Sequence, residues 1–169
     1  MVKGLFVFGL VLGIGFPHAA GGALAPFPST LNLDRVVQAI EAPESSIRSV
    51  EALLAWISRH HPDHLTRYTL MRRSRSSQQA SPQSPRAIVF GGDAKFIFTF
   101  NGGTPGQTGH DRVEMIQFRE AGRGLSSGGR FEFREIQFSP TGSRPTISEP
   151  NPARCTECHQ STLHPIWAA

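Results

Sequence analysis

Between residues 33 and 57 the apolar positions recur with a helical period. Leu33, Val36, Val37 and Ile40 fall at i, i+3, i+4 and i+7 behind a capping Asn32, which predicts one face of a short helix. After Ala42-Pro43 a second such pattern begins behind Ser45-Ser46, runs through Ile47, Val50, Leu53, Leu54 and Ile57, and stops ahead of Pro62. The two elements read as an N-terminal helical hairpin over 33–59, with Trp56 and the leucines in its core. From 86 to 138 the period changes to two. Segments 87–90, 95–100, 112–118 and 131–138 are rich in Phe, Ile and Val and are separated by glycine-containing turns, the pattern of a four-stranded antiparallel meander. Phe96, Phe98 and Phe100 alternate along one face of the second segment. In the last segment the phase shifts between Phe133 and Ile136, and a β-bulge near Arg134-Glu135 would reconcile the halves. Eight of the twelve phenylalanines lie between 86 and 138, which locates the core in the sheet. Residues 139–154 hold four prolines and read as an irregular arm. The expected class is therefore α+β: helical hairpin, four-stranded antiparallel sheet, irregular C-terminal arm.

The N-terminus has the three parts of a secretory signal. Lys3 supplies a positive charge, 4–16 is an uninterrupted apolar and glycine run, and small residues follow through Ala23-Leu24-Ala25. Pro26 disfavours a cut directly after Ala25, so cleavage is placed between Ala19 and Ala25. Residues 1–25 are assigned as signal peptide and 26–169 as one domain, with a periplasmic or secreted location and no stable membrane span after cleavage. The alternative is an uncleaved N-terminal membrane anchor, because 4–25 carries no charge and is long enough to cross a bilayer. No cysteine lies near the cut, which argues against a lipid anchor. The chain has 17 basic and 13 acidic residues, and only Lys3 and Lys95 among the former are lysines. Arginine bias of this kind follows genome base composition. With an exported location, it makes the positive charge a weak argument for a nucleic-acid partner, and none is assigned.

The candidate chemistry sits near the end of the chain. Cys155-Thr156-Glu157-Cys158-His159 holds both cysteines of the protein in a C-x-x-C-H arrangement. Two thiols at this spacing can add to the two vinyl groups of a haem while the adjoining histidine ligates the iron, giving one covalent haem c. Two other uses of the residues stay open. Structural zinc needs four ligands, and Cys155, Cys158 and His159 or His164 supply three. A thioredoxin-type disulfide should lie between a strand and a helix, whereas Asn151-Pro152 lies just upstream. Elsewhere, His60-His61-Pro62-Asp63-His64 reads as a solvated loop whose side chains Pro62 scatters around a turn. Arg72-Arg73-Ser74-Arg75-Ser76-Ser77 opens a polar linker or an anion- or partner-docking patch. The glycine-rich connections at 91–93, 101–106 and 122–129 lead from strand to strand and are hairpin loops rather than phosphate cradles. Glu114, Glu120, Glu132 and Glu135 are placed on the outward faces of strands, with no spacing that favours catalysis.

The tail from Asn151 to His159 with Pro165-Ile166-Trp167, together with Ser74-Arg75-Ser76, Pro85-Arg86 and the Phe-rich hairpins, resembles exported bacterial c-type cytochrome-like proteins carrying one C-terminal haem motif. That resemblance implies thioethers at Cys155 and Cys158 and His159 as the metal ligand. The chain departs from it at Gln160, where the group has glycine, and at His164, where it has arginine. It also ends soon after Trp167, so a truncated or divergent copy is one reading. In familiar small cytochromes c the motif lies near the N-terminus and a downstream methionine completes the iron. Here no methionine follows the motif, and the sixth position is as well matched by water or a vacancy as by His164. The function expected is electron transfer or redox or gas sensing by an exported mono-haem protein with a redox partner. The competing expectation is a non-enzymatic exported binding or structural domain whose C-x-x-C forms a disulfide or holds zinc. No distal acid/base pair for a haem peroxidase can be named, so no catalytic residue is assigned.

Overall fold

The structure, a computed structural model, describes residues 30–74, 78–102, 105–120 and 129–159. The signal-peptide assignment, the 122–128 loop, and Gln160, His164 and Trp167 lie outside them. The element order is α1 (Leu33–Glu41), α2 (Val50–His60), a 3-10 turn (Pro62–Thr66), β1 (Tyr68–Met71), β2 (Arg86–Val89), β3 (Phe96–Asn101), β4 (Arg112–Arg119), β5 (Arg130–Gln137), β6 (Thr146–Ile147) and α3 (Ala153–His159). All six strands form one sheet in the order β1-β2-β3-β4-β5-β6, each antiparallel to its chain neighbour.

Both N-terminal helices start where side-chain capping permits. Asn32 Oδ1 accepts from Arg35 N at 2.9 Å, and Ser49 Oγ accepts from Ala52 N at 3.2 Å, so the second helix starts behind Ser49 rather than Ser45-Ser46 and the buried Ile47 precedes it. Pro62 ends the second helical run, because a proline there supplies no N–H to continue it. The helices do not form the expected hairpin. Each turns its apolar stripe onto the sheet: Leu33, Val36 and Ile40 of α1 and Val50, Leu53 and Ile57 of α2 share one core with Phe96, Phe98, Val113, Met115 and Ile136. The phenylalanine-rich face offers each short helix more apolar area than the other helix would, and burial scales with area. Polar contacts fix the placement of α1. Leu33 N donates to the buried Gln117 Oε1 at 3.0 Å, and both Arg119 Nη atoms bond the Asp34 carboxylate at 2.6 and 2.7 Å. Trp56 packs half-buried against this core, as the helical periodicity expects.

The sheet has six strands rather than four. The four expected strands are present within a residue or so of their expected ends, and two short ones extend them. β1 reads Tyr-Thr-Leu-Met and lies on an edge. β6 is two residues long, between Pro145 and Pro150. The expected bulge is also overturned, since β4 and β5 pair without interruption from Arg112↔Gln137 to Arg119↔Arg130. Phe133 and Ile136 are therefore on opposite faces, and each is at most 2 % exposed. The phase shift reflects a sheet that buries apolar residues on both sides. On the second face Ile88, Ile97 and Phe133 are buried. The arm is not irregular throughout: its last described residues form α3, which lies on that face.

Candidate functional site

α3 begins after Pro152, whose carbonyl accepts from Cys155 N at 2.9 Å and Thr156 N at 3.2 Å. A seven-residue helix has little stability of its own, so tertiary contacts must hold it. Asn151, in left-handed backbone conformation at φ 56°, makes the turn into it. Its side-chain oxygen accepts from Phe133 N at 2.9 Å and its own N–H donates to Phe133 O at 2.8 Å, so one residue pins the helix start to β5. Further along, Arg154 bonds Glu135 at 3.0 Å. At the far end the His159 ring lies 4.4 Å from that of Phe133, inclined by 39°. β5 thus holds both ends of the helix that carries Cys155, Cys158 and His159.

Beneath α3 the second face carries a row of charges. Glu114 of β4 and Glu135 of β5 are directly opposed, a placement that is destabilising for unpaired like charges. Arginines neutralise both. Arg86 pairs with Glu114 and also donates to Thr99 Oγ1 at 2.7 Å, while Arg112 pairs with Glu135 at 2.9 Å. The glutamates are therefore ion-paired and largely covered, not displayed outward. Glu132 is likewise bound, by Arg119 at 2.8 Å and Arg134 at 2.9 Å, and of the four only Glu120 is exposed, paired with Lys95. Cys155 is half-buried over this row. Burial first, and then the Glu114 and Glu135 carboxylates, push its thiol up to about 12, against the opposing pull of Arg154. It is a neutral thiol at physiological pH. Cys158, one turn on, is exposed, and both cysteines are free thiols. Among the described residues no group of three or more His, Cys, Asp or Glu side chains is arranged to hold a metal ion.

The histidine-rich turn departs from expectation. His61 and His64 are only 5 % and 7 % exposed, and the segment is not a solvated loop. Pro62 starts a 3-10 turn that folds the two rings inward. The His64 ring packs 5.5 Å from Phe96 and 5.8 Å from Phe98. Gly91, at φ 56°, passes so close over His64 that any side chain there would strike its imidazole. Nε2 of each buried histidine finds no hydrogen-bond partner among the described residues. Burial is the main cause that lowers the pKa of both; Asp93 opposes it at His64, and His60 and Arg35 add to it at His61. His60 alone faces solvent, stacked on Trp56 at 5.1 Å.

Neither methionine of the described residues lies near His159. Met115 is 1 % exposed in the core on the opposite face of the sheet. Met71 is on β1, four strands from β5, about 19 Å away at the usual strand spacing. No helix of the described residues is long and apolar enough to cross a membrane. The chain matches no protein-family model, no curated protein and no solved structure. The site and fold define an α+β domain: a meander sheet with helices on both faces and a C-x-x-C-H helix on the second.

Proposed function

We propose that the chain is an exported mono-haem c-type protein in which Cys155 and Cys158 carry the thioethers and His159 is the iron's protein ligand. One observation carries the reading: both thiols and the imidazole lie on a single helix whose two ends are fixed to β5 through Asn151, Arg154 and Phe133. The residues fit the group. A thioether is a neutral sulfur, and Cys155 sits over two carboxylates that disfavour a thiolate. Zinc would need Cys155 as a thiolate, so the same environment weakens that alternative. A covalent haem supplies one-electron chemistry and, where a coordination position stays open, binding of small gases or peroxide. The placement of Met71 and Met115 favours a sixth position not filled by methionine. That leaves electron transfer with another ligand, or redox or gas sensing, as the role.

The test is a pyridine haemochrome spectrum of protein made with a haem c maturation system and extracted with acidified organic solvent. Haem that survives extraction in the wild type and is lost in Cys155→Ala/Cys158→Ala is the expected result. Colourless protein, with one zinc or with neither metal, would overturn the reading in favour of a non-enzymatic binding domain.

A further inference from the structure

β1 is an edge of the sheet and pairs, among the described residues, only with β2. Its register fixes which groups look outward. Phe90 N donates to Arg67 O, so 67 and 90 form a hydrogen-bonded pair, as by alternation do 69 with 88 and 71 with 86. Tyr68 and Leu70 fall between these pairs, and their backbone N–H and C=O groups point away from β2. The same two residues are the exposed large hydrophobics of the molecule, 59 % and 52 % accessible among the described residues. An edge with outward backbone groups and apolar side chains is a template for another strand, and soluble proteins ordinarily blunt it with proline, a bulge or an inward charge. β1 has none of these within it. What it has is Arg67 before it and Arg72 and Arg73 after it, all exposed, with no acidic residue from 67 to 73.

We propose that the outer edge of β1 is a docking site for an extended, acidic segment of a partner protein, which adds to the sheet as a further strand. The outward N–H and C=O groups of Tyr68 and Leu70 bond the added backbone. Their side chains cover its alternate apolar residues, and the flanking arginines select Asp and Glu at its ends. The same arginines disfavour a second copy. Antiparallel pairing of β1 with itself would bring three guanidinium groups from each chain into one seam. A lipid surface fits less well, because the outward peptide groups would enter it unsatisfied. The site lies on the opposite edge from the β5–β6 region that holds α3, so it does not depend on what Cys155 and Cys158 carry.

The full chain is titrated with a capped octapeptide alternating Glu and Val, and in parallel with its Lys-Val counterpart and with phosphatidylglycerol vesicles. Saturable binding of the acidic peptide alone is expected, weakened severalfold by raised salt, with slowed hydrogen exchange at the Tyr68 and Leu70 amides. Leu70→Pro removes one outward N–H and leaves the β1–β2 hydrogen bonds in place, a position where an edge strand tolerates proline. It is expected to fold with an unchanged melting midpoint and to lose the peptide. Arg72→Glu/Arg73→Glu, confined to exposed side chains, is expected to weaken binding at least tenfold. Equal binding of the Lys-Val peptide, binding of vesicles but not peptide, or a dimer that protects the same amides would each overturn the proposal. Full peptide affinity in folded Leu70→Pro or in the double Arg variant would do so as well.

Discussion

Phe133→Leu separates the stability of the sheet from the docking of α3. Phe133 is 2 % exposed on the second face, its N–H and C=O bond Asn151, and its ring meets His159 at 4.4 Å. Truncation to Ala would cost about 3–5 kcal/mol through lost burial and a cavity, enough to endanger the fold. Leucine keeps most of the volume, at a cost to global stability under roughly 1.5 kcal/mol. It also removes the ring-on-ring contact, worth about 0.5–1.5 kcal/mol beyond area. The backbone bonds to Asn151 are untouched, so the ring term falls on the His159 end of the helix. At about 1.4 kcal/mol per factor of ten, opening of that end should become roughly two- to tenfold more frequent. Amide hydrogen exchange across 155–159, measured alongside a urea melt, reads both quantities. The expected result is faster exchange there, with protection in β3 and β4 reduced by no more than the global loss that the urea melt reads. A folded Phe133→Leu protein with wild-type exchange in 155–159 would show that Phe133 does not hold the helix.

Acid should weaken the fold through the histidine turn. His61 and His64 have folded pKa values below 6.5 because burial disfavours the imidazolium, so the unfolded chain takes up protons first. Their contribution is complete above 6.5 and gone once the pH has fallen through the folded values. Thermal midpoints from pH 8 to 5 should fall in the wild type and flatten in His64→Phe; parallel curves would refute this. Arg86→Ala removes the charged hydrogen bonds from its guanidinium to Glu114 and Thr99 and should cost about 1.5–3 kcal/mol in a urea melt. Lys95→Ala, in a fully exposed pair, should leave the midpoint unchanged, and equal effects of the two would contradict the burial argument.

The two N-terminal helices and the four long strands were legible because their periods are strong, whereas the seven residues of α3 are too few for a period to register. Val36 and Ile40, or Phe96 and Phe98, leave no other arrangement that buries them together. What period does not carry is the layer an element packs against. A stripe such as Leu53 and Ile57 is satisfied equally by a helix or a sheet, so the expected hairpin errs in the partner and not in the helix. Phe133 and Ile136 carried the signal of a second buried face, but a bulge explains the same phase break when the strand is taken alone. β1 and β6 are too short for alternation to register. His61 and His64 look polar in any sequence, and only Gly91 in the turn above hints that a ring is enclosed. The Cys155-x-x-Cys158-His159 spacing was plain from the start. Its setting over Glu114 and Glu135 depends on a β4–β5 register that spacing within one segment cannot supply.

The consecutive strand order bears on how the chain reaches this state. Every strand pairs with its sequence neighbour, so the sheet can zip up from local hairpins with little loop entropy to overcome. The helical layer is different. Leu33 reaches Gln117 across 84 positions and Asp34 reaches Arg119 across 85, so α1 has no docking surface until β4 is in place. With the meander formed, docking α1 closes only the segment 42–67 between it and β1, and that step follows the sheet. A newly made chain would therefore present a formed meander whose phenylalanine face still waits for its N-terminal cover, and that interval is when it is most exposed to aggregation.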